Sequence, residues 1–352
     1  MLNEQILNSE VGLFIGAGAS APFGKLLMDS FVDSILNKPL EENVKMLLTS
    51  LCSVKKKDLE EILEDVRMFI DKDYYNKMDA NGDLYTYCQY NKKIRNVAIV
   101  LDRIIRKEII EHYRGVEDIQ LIMNKYNPLF ELISQYTNTV PVFTTNYDDI
   151  VEELCVSQEG SYHLVNGSRY ERKHRDDVLS FKEYEEFKPV SNKMNIVLFK
   201  LHGSICWEFD AQKGIIRVSP RPIFDDYDPD VLKFYIAPTK TKIAEDYPYR
   251  DLYEYLLRCL DRVKLFIVMG YSFRDYDSLT KFKSSLDFNP GLKLVILNDK
   301  AEQLKKTLFE SYKDRVVTIP CLFAGDKEGE YLSIIKNELS KLKIDRKNSA
   351  SS

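Results

Sequence analysis

Five short clusters of polar and glycine residues, each placed directly after an apolar run, carry the chemistry this chain can do. The first is Gly16-Ala17-Gly18-Ala19-Ser20, which follows Val11–Ile15 and precedes a helical pattern. Glycines at such a turn let backbone approach a phosphate, and the amides of a following helix start favour negative charge. The others are Thr144-Thr145-Asn146-Tyr147-Asp148, Lys200-Leu201-His202-Gly203-Ser204, Gly270-Tyr271-Ser272-Phe273-Arg274-Asp275 and Asn298-Asp299. An amide such as Asn146 can hold a water or a sugar hydroxyl, and His202 can take a proton from either. Bland readings stand beside these. A glycine pair can simply turn the chain, Asn146 with acids close behind suits a helix cap, His202 suits a satisfied core histidine, and Ser272 and Asp275 suit the cap of the next helix. His112, His163 and His174 read as surface residues, and Trp207 as packing.

These clusters need a scaffold that brings strand ends together. Apolar, β-branched runs recur at 11–15, 140–144, 196–201, 234–237, 265–269, 292–297 and 316–319. Several are continuous rather than alternating, as in strands covered on both faces, and helical patterns separate most of them. The expected fold is therefore α/β, a Rossmann-like parallel sheet flanked by helices, where ligands bind at the carboxyl ends of strands. Residues about 40–136 show helical periodicity and predict a helical insertion subdomain. Residues about 158–192 are polar and read as an irregular insertion, while the acidic, aromatic 220–229 reads as a lid or connector. One domain over 1–345 and a disordered tail at 346–352 complete the expectation.

Bulk properties narrow the function classes. With 352 residues, 44% apolar and 30% charged, the chain can bury a large core. A net charge of −5 does not suit direct binding to nucleic acid. No apolar stretch is long enough for a membrane span, and the N-terminus lacks a secretory pattern, so the expected location is cytoplasmic. Six scattered cysteines without a CxxC pair do not suggest a thiolate metal site. A dehydrogenase is disfavoured because no second strand carries a ribose-binding acid about twenty residues after the glycine turn.

Taken in order, the clusters resemble the sirtuin family and, more closely, its bacterial sirtuin-like branch. Gly16, Ala17, Gly18 and Ser20, with Gly24 four residues on, resemble the family's glycine motif. Thr145, Asn146 and Asp148 resemble its Thr-Gln-Asn-hydrophobic-Asp motif, His202-Gly203 its catalytic pair, Gly270 and Ser272 its Gly-x-Ser motif, and Asn298 an adenosine-contacting residue. The resemblance spans about residues 11–300. It implies NAD+ as substrate, no metal, Asn146 and His202 as catalytic residues, and the remainder as cofactor-binding, with Asp148 on the nicotinamide amide. Two departures matter. Cys206 is followed by no cysteine before Cys259, which leaves no zinc ribbon, and Leu26-Leu27-Met28-Asp29 replaces the usual Pro-Asp-Phe-Arg. Branch members with these losses are associated with NAD+ hydrolysis in anti-phage defence. The resemblance then implies a homo-oligomer, a separately encoded ATPase or sensor as partner, and no membrane. ADP-ribosyl transfer, deacylation and a non-catalytic NAD or ADP-ribose sensor are the alternatives.

Overall fold

The computed structural model describes residues 2–25, 28–55, 59–70, 85–115, 118–172, 176–210, 213–219, 232–236, 247–325 and 327–349. The strands among the described residues are β1 (Val11–Ile15), β2 (Thr139–Thr144), β3 (Tyr162–Val165), β4 (Ser168–Glu171), β5 (Asp176–Leu179), β6 (Met194–Lys200), β7 (Gly203–Asp210), β8 (Ile215–Val218), β9 (Leu232–Ile236), β10 (Leu265–Met269), β11 (Lys293–Leu297) and β12 (Val316–Ile319). Seven form a sheet in the order β12-β11-β10-β1-β2-β6-β3, and every pairing in it is parallel.

The continuous apolar strands explain why both faces are covered. Every residue of β1, β2, β6 and β10 is buried. Because successive side chains point to opposite faces, Phe14, Phe143, Phe199 and Phe266 enter one core with the helices Tyr249–Leu260 and Tyr276–Phe288. Leu13, Ile15, Val142 and Leu198 enter the other, beneath Ile119–Ser134, Ile150–Ser157 and Glu328–Ser349. Each fully buried side chain of this kind contributes roughly 1.5–3 kcal/mol.

The helices Met28–Leu36, Glu42–Lys55, Leu59–Ile70 and Tyr85–Tyr113 build a third core of their own. Tyr147 from the loop after β2 and Ile205 from β7 close it. The helix Ile119–Ser134, inside the interval expected to form the insertion, instead packs on the sheet through Ile122, Tyr126, Leu129, Phe130 and Ile133. That spacing is as regular as in the preceding helices, so periodicity alone does not show which core a helix joins.

Three expectations are corrected. Residues 158–192 are not irregular throughout: β3 is the parallel sheet's edge, and β4 and β5 form an antiparallel pair. Their short sequences, such as Ser-Arg-Tyr-Glu, show too little apolar alternation to register. The run at 234–237 does not join the parallel sheet, because β9 is the edge of a second, antiparallel sheet ordered β4-β5-β8-β7-β9. The first residues of the expected tail, 346–349, belong to the helix Glu328–Ser349, and 350–352 lie outside the described residues. The 220–229 segment lies outside the described residues.

Candidate functional site

Strand register gathers the clusters. Ile15 pairs with Thr144 and Met269, Thr144 pairs with Lys200, and Met269 pairs with Leu297, so these five form one row across the sheet. Every polar cluster begins at that row or just beyond it. The chain runs from β1 to β2 on one side and later returns to β10 on the other, which is the switch point where open α/β sheets bind ligands.

The glycines serve the closeness of two loops. A Cβ on Gly16 would lie 2.7 Å from the Gly270 carbonyl oxygen, and one on Gly18 2.9 Å from it. Gly270 itself has φ +60°, and a Cβ there would stand 2.1 Å from the Ala19 nitrogen. The amides of Gly16 and Gly18 donate to the carbonyls of Met269 (2.8 Å) and Gly270 (2.9 Å), and that of Ala19 donates to Gly16 (2.9 Å). These three amides are therefore tied to protein carbonyls, whereas the turn is expected from sequence to present its amides to phosphate. Gly24, at φ +80°, ends the 3-10 turn Ala21–Phe23.

Asn146 is fixed from both sides. Its backbone amide accepts no role in a helix cap and instead donates to Thr144 Oγ1 (3.0 Å), while Thr144 Oγ1 donates to the Ile15 carbonyl (2.8 Å). Its Nδ2 donates to the Gly16 carbonyl (3.1 Å) and to Ser20 Oγ (2.9 Å). A carbonyl can only accept, so the amide's orientation is set and Oδ1 faces away. That Oδ1 is buried and has no hydrogen-bond partner among the described residues. Such an atom costs about 1–3 kcal/mol unless something donates to it.

Beneath Asn146 lies a buried charge network. Burial pushes the Asp148 carboxyl up, against the opposing pull of Lys200 and Ser20. Lys200 Nζ donates to the Asp148 carbonyl and pairs with Glu152 Oε1 at 3.1 Å. Burial alone would push the Lys200 ammonium down, but Glu152 and Asp148 outweigh it and the net shift is upward.

His202 follows β6 and is buried. Its Nε2 lies 3.1 Å from the Tyr253 hydroxyl and 3.5 Å from Asp275 Oδ2. Tyr253 donates to that same Oδ2 at 2.7 Å. Asp275 also caps the helix Tyr276–Phe288, accepting from the amides of Asp277 (3.0 Å) and Ser278 (3.3 Å). Burial pushes the Asp275 carboxyl up, yet His202, Ser278 and Tyr253 outweigh burial and hold it well below the usual carboxylate range. The site thus sets a fixed, vacant acceptor on one strand end and an anchored imidazole on the next, a pairing able to place a hydroxyl or water and remove its proton.

The description "SIR2-like domain" belongs to the family model that matches residues 140–317, just over half of the chain. The chain belongs to the SIR2-like domain family. No curated protein matches it. Among solved structures, a Sir2 homolog in complex with NAD aligns at TM-score 0.45 and 13% identity, covering 97% of this chain and 95% of that one. Sir2Tm bound to a propionylated peptide aligns at TM-score 0.41 and 14% identity, covering 95% and 96%.

In this SIR2-like chain the residues singled out from sequence fall into two groups. Gly16, Gly18, Ser20, Asn146 and Gly270 are joined by direct contacts, whereas Asp148 is held by Lys200 Nζ on its carbonyl and by the Ile150 amide on its carboxylate. Asn298 holds the loop after β10, its Nδ2 donating to the Tyr271 carbonyl (3.2 Å) while its Oδ1 accepts from the Lys300 amide (2.9 Å). Ala17, Gly24 and Ser272 are exposed, and Thr145 is half-buried. Leu26 and Leu27 lie outside the described residues, as does His174. His163, expected at the surface, is half-buried with Nδ1 3.0 Å from Asn195 Oδ1, and His112 is also half-buried. Among the described residues no group of three or more His, Cys, Asp or Glu is placed to hold a metal.

Sequence reasoning missed Glu152 and Tyr253, saw Asp275 only as a cap, and named Lys200 at its strand end without giving it a role. A lysine closing a wholly buried strand was the available signal for Lys200. Tyr253 sits among Leu252, Leu256 and Leu260 on an apolar helix face and gave none.

Proposed function

We propose that this SIR2-like domain is an NAD+ glycohydrolase that releases nicotinamide and ADP-ribose. The observation that carries the reading is the vacant, buried Asn146 Oδ1, held at the glycine turn one strand away from His202. The bond between the ribose anomeric carbon and the nicotinamide nitrogen breaks, and nicotinamide leaves neutral with the electron pair. The sugar carbon becomes oxocarbenium-like, as in other glycosyl transfers, and water adds to it. Asn146 Oδ1 accepts from that water or from a ribose hydroxyl, His202 takes the released proton, and the Asp148 carboxyl bonds the nicotinamide amide. Ser20 positions Asn146, and no metal takes part.

An enzyme that drains NAD+ harms its own cell, so its activity must be held until a trigger arrives. We place it in the cytoplasm as the regulated effector of a bacterial anti-phage, abortive-infection system, assembled as a homo-oligomer with a separately encoded ATPase or sensor. No helix among the described residues is long and apolar enough to cross a membrane.

The test is incubation of the full chain with NAD+, at several protein concentrations, with nicotinamide and ADP-ribose measured by chromatography. Release of both without any acceptor supports hydrolysis. Turnover that requires an acyl-lysine peptide, or ADP-ribose appearing on protein, contradicts it. Tight NAD+ binding without turnover favours a sensor.

A further inference from the structure

We propose that Asp275, acting both directly on Nε2 and through the Tyr253 hydroxyl it orients, is a positioning residue that locks His202 in the tautomer carrying its proton on Nε2, which makes Nδ1 the basic nitrogen. The assignment follows from which atoms can donate. The Asp275 carboxylate is ionised and can only accept. Oδ2 takes the Tyr253 hydroxyl proton at 2.7 Å and the Ser278 hydroxyl proton at 2.5 Å. The Tyr253 proton is therefore committed, and its oxygen faces His202 Nε2 at 3.1 Å with only lone pairs to offer. Nε2 must supply the proton in that bond, and Oδ2 at 3.5 Å adds a direct attraction for it.

The relay is built on two rigid elements. Tyr253 lies on the buried face of the helix Tyr249–Leu260, and Asp275 is pinned by the amides it caps at the start of Tyr276–Phe288. Its logic is that of the carboxylate in serine-hydrolase triads, which sets the tautomer of the histidine without itself becoming protonated. Here a phenol is interposed. The inference rests on the glycohydrolase reading for its catalytic meaning, but the tautomer itself does not depend on that reading.

The test uses full-length protein labelled with 15N-histidine. The chain has four histidines, so His202 is assigned by the signal lost in His202→Ala. Two-bond nitrogen–proton correlation at alkaline pH, where the ring is neutral, reads the tautomer directly. Wild type is expected to carry the proton on Nε2. Asp275→Asn keeps an acceptor for the helix cap, but its amide can donate to the Tyr253 oxygen and turn the phenol proton toward Nε2. The His202 proton is then expected on Nδ1, and kcat for nicotinamide release is expected to fall about 100-fold with KM little changed. Tyr253→Phe retains the carboxylate beside Nε2 and is expected to keep the wild-type tautomer with a smaller loss of kcat.

A wild-type ring protonated on Nδ1 overturns the proposal, whether or not either variant folds. An unchanged tautomer in Asp275→Asn also overturns it, as does a switched tautomer in Tyr253→Phe, which assigns the lock to the phenol alone. Failure of the glycohydrolase reading shows separately, as wild-type protein with the stated tautomer that never releases nicotinamide.

Discussion

Asn146 and Ser20 are 126 residues apart in sequence, yet Asn146 Nδ2 donates to Ser20 Oγ at 2.9 Å. This bond makes one unit of the turn after β1 and the loop after β2. The Ser20 hydroxyl also helps hold down the Asp148 carboxyl against the upward push of burial. Ser20→Ala leaves the Asn146 amide without that partner. A lost buried hydrogen bond of this kind costs about 1–3 kcal/mol, so a lower melting temperature is expected, together with a fall of about tenfold or more in kcat/KM. Calorimetry and steady-state nicotinamide release check the two effects.

Gly270→Ala tests the contact between the two glycine loops. The added methyl meets Ala19 nitrogen at 2.1 Å and Gly18 carbonyl carbon at 2.5 Å in a left-handed backbone. All the crowding atoms are backbone and cannot rotate away. Destabilisation of about 2–4 kcal/mol is expected from strain and overpacking, measured by denaturant unfolding. Unchanged stability would mean that the loops are not in contact.

Lys200→Met addresses the buried charge beneath the site. It leaves Glu152 without its cation, and breaking a buried pair from one side costs about 3–5 kcal/mol. Adding Glu152→Gln to Lys200→Met is expected to recover a large part of that loss. Urea midpoints of the single and double variants give the coupling directly.

The Asp275 carboxyl makes a pH dependence with a definite sign. Its folded pKa is held below the ordinary value of 3.8. The stability it contributes is therefore fully present above that value and is lost as pH falls through the folded one. Asp275→Asn is expected to lower stability near neutral pH and to flatten the acid limb of the unfolding curve. Stability measured from neutral pH down to pH ~3 checks it.

Much of the scaffold was legible in the sequence because its strands are wholly buried. Val11–Ile15 and Leu265–Met269 announce themselves as continuous apolar runs, and the polar residues after them mark strand ends. The second sheet was hidden for the opposite reason. β4 and β5 are four residues each, Ser-Arg-Tyr-Glu and Asp-Asp-Val-Leu, so no period stands out. At the site, residue types pointed to Asn146 and His202, but the support beneath them depends on meetings between distant elements. Lys200 with Glu152, and Tyr253 with Asp275, are partnerships that register and helix packing create. The glycine turn was visible for its composition, whereas its reason, the close approach of Gly270, lies 250 residues downstream of Gly16–Ser20.

The most direct measurement is nicotinamide release from NAD+ by wild type, Asn146→Ala and His202→Ala under one active condition, with folding of each checked by its melting curve. Wild-type release of nicotinamide with equimolar free ADP-ribose is expected, and both variants are expected to fold and to lose at least about 100-fold in rate. A folded variant that hydrolyses NAD+ at the wild-type rate would contradict the central claim.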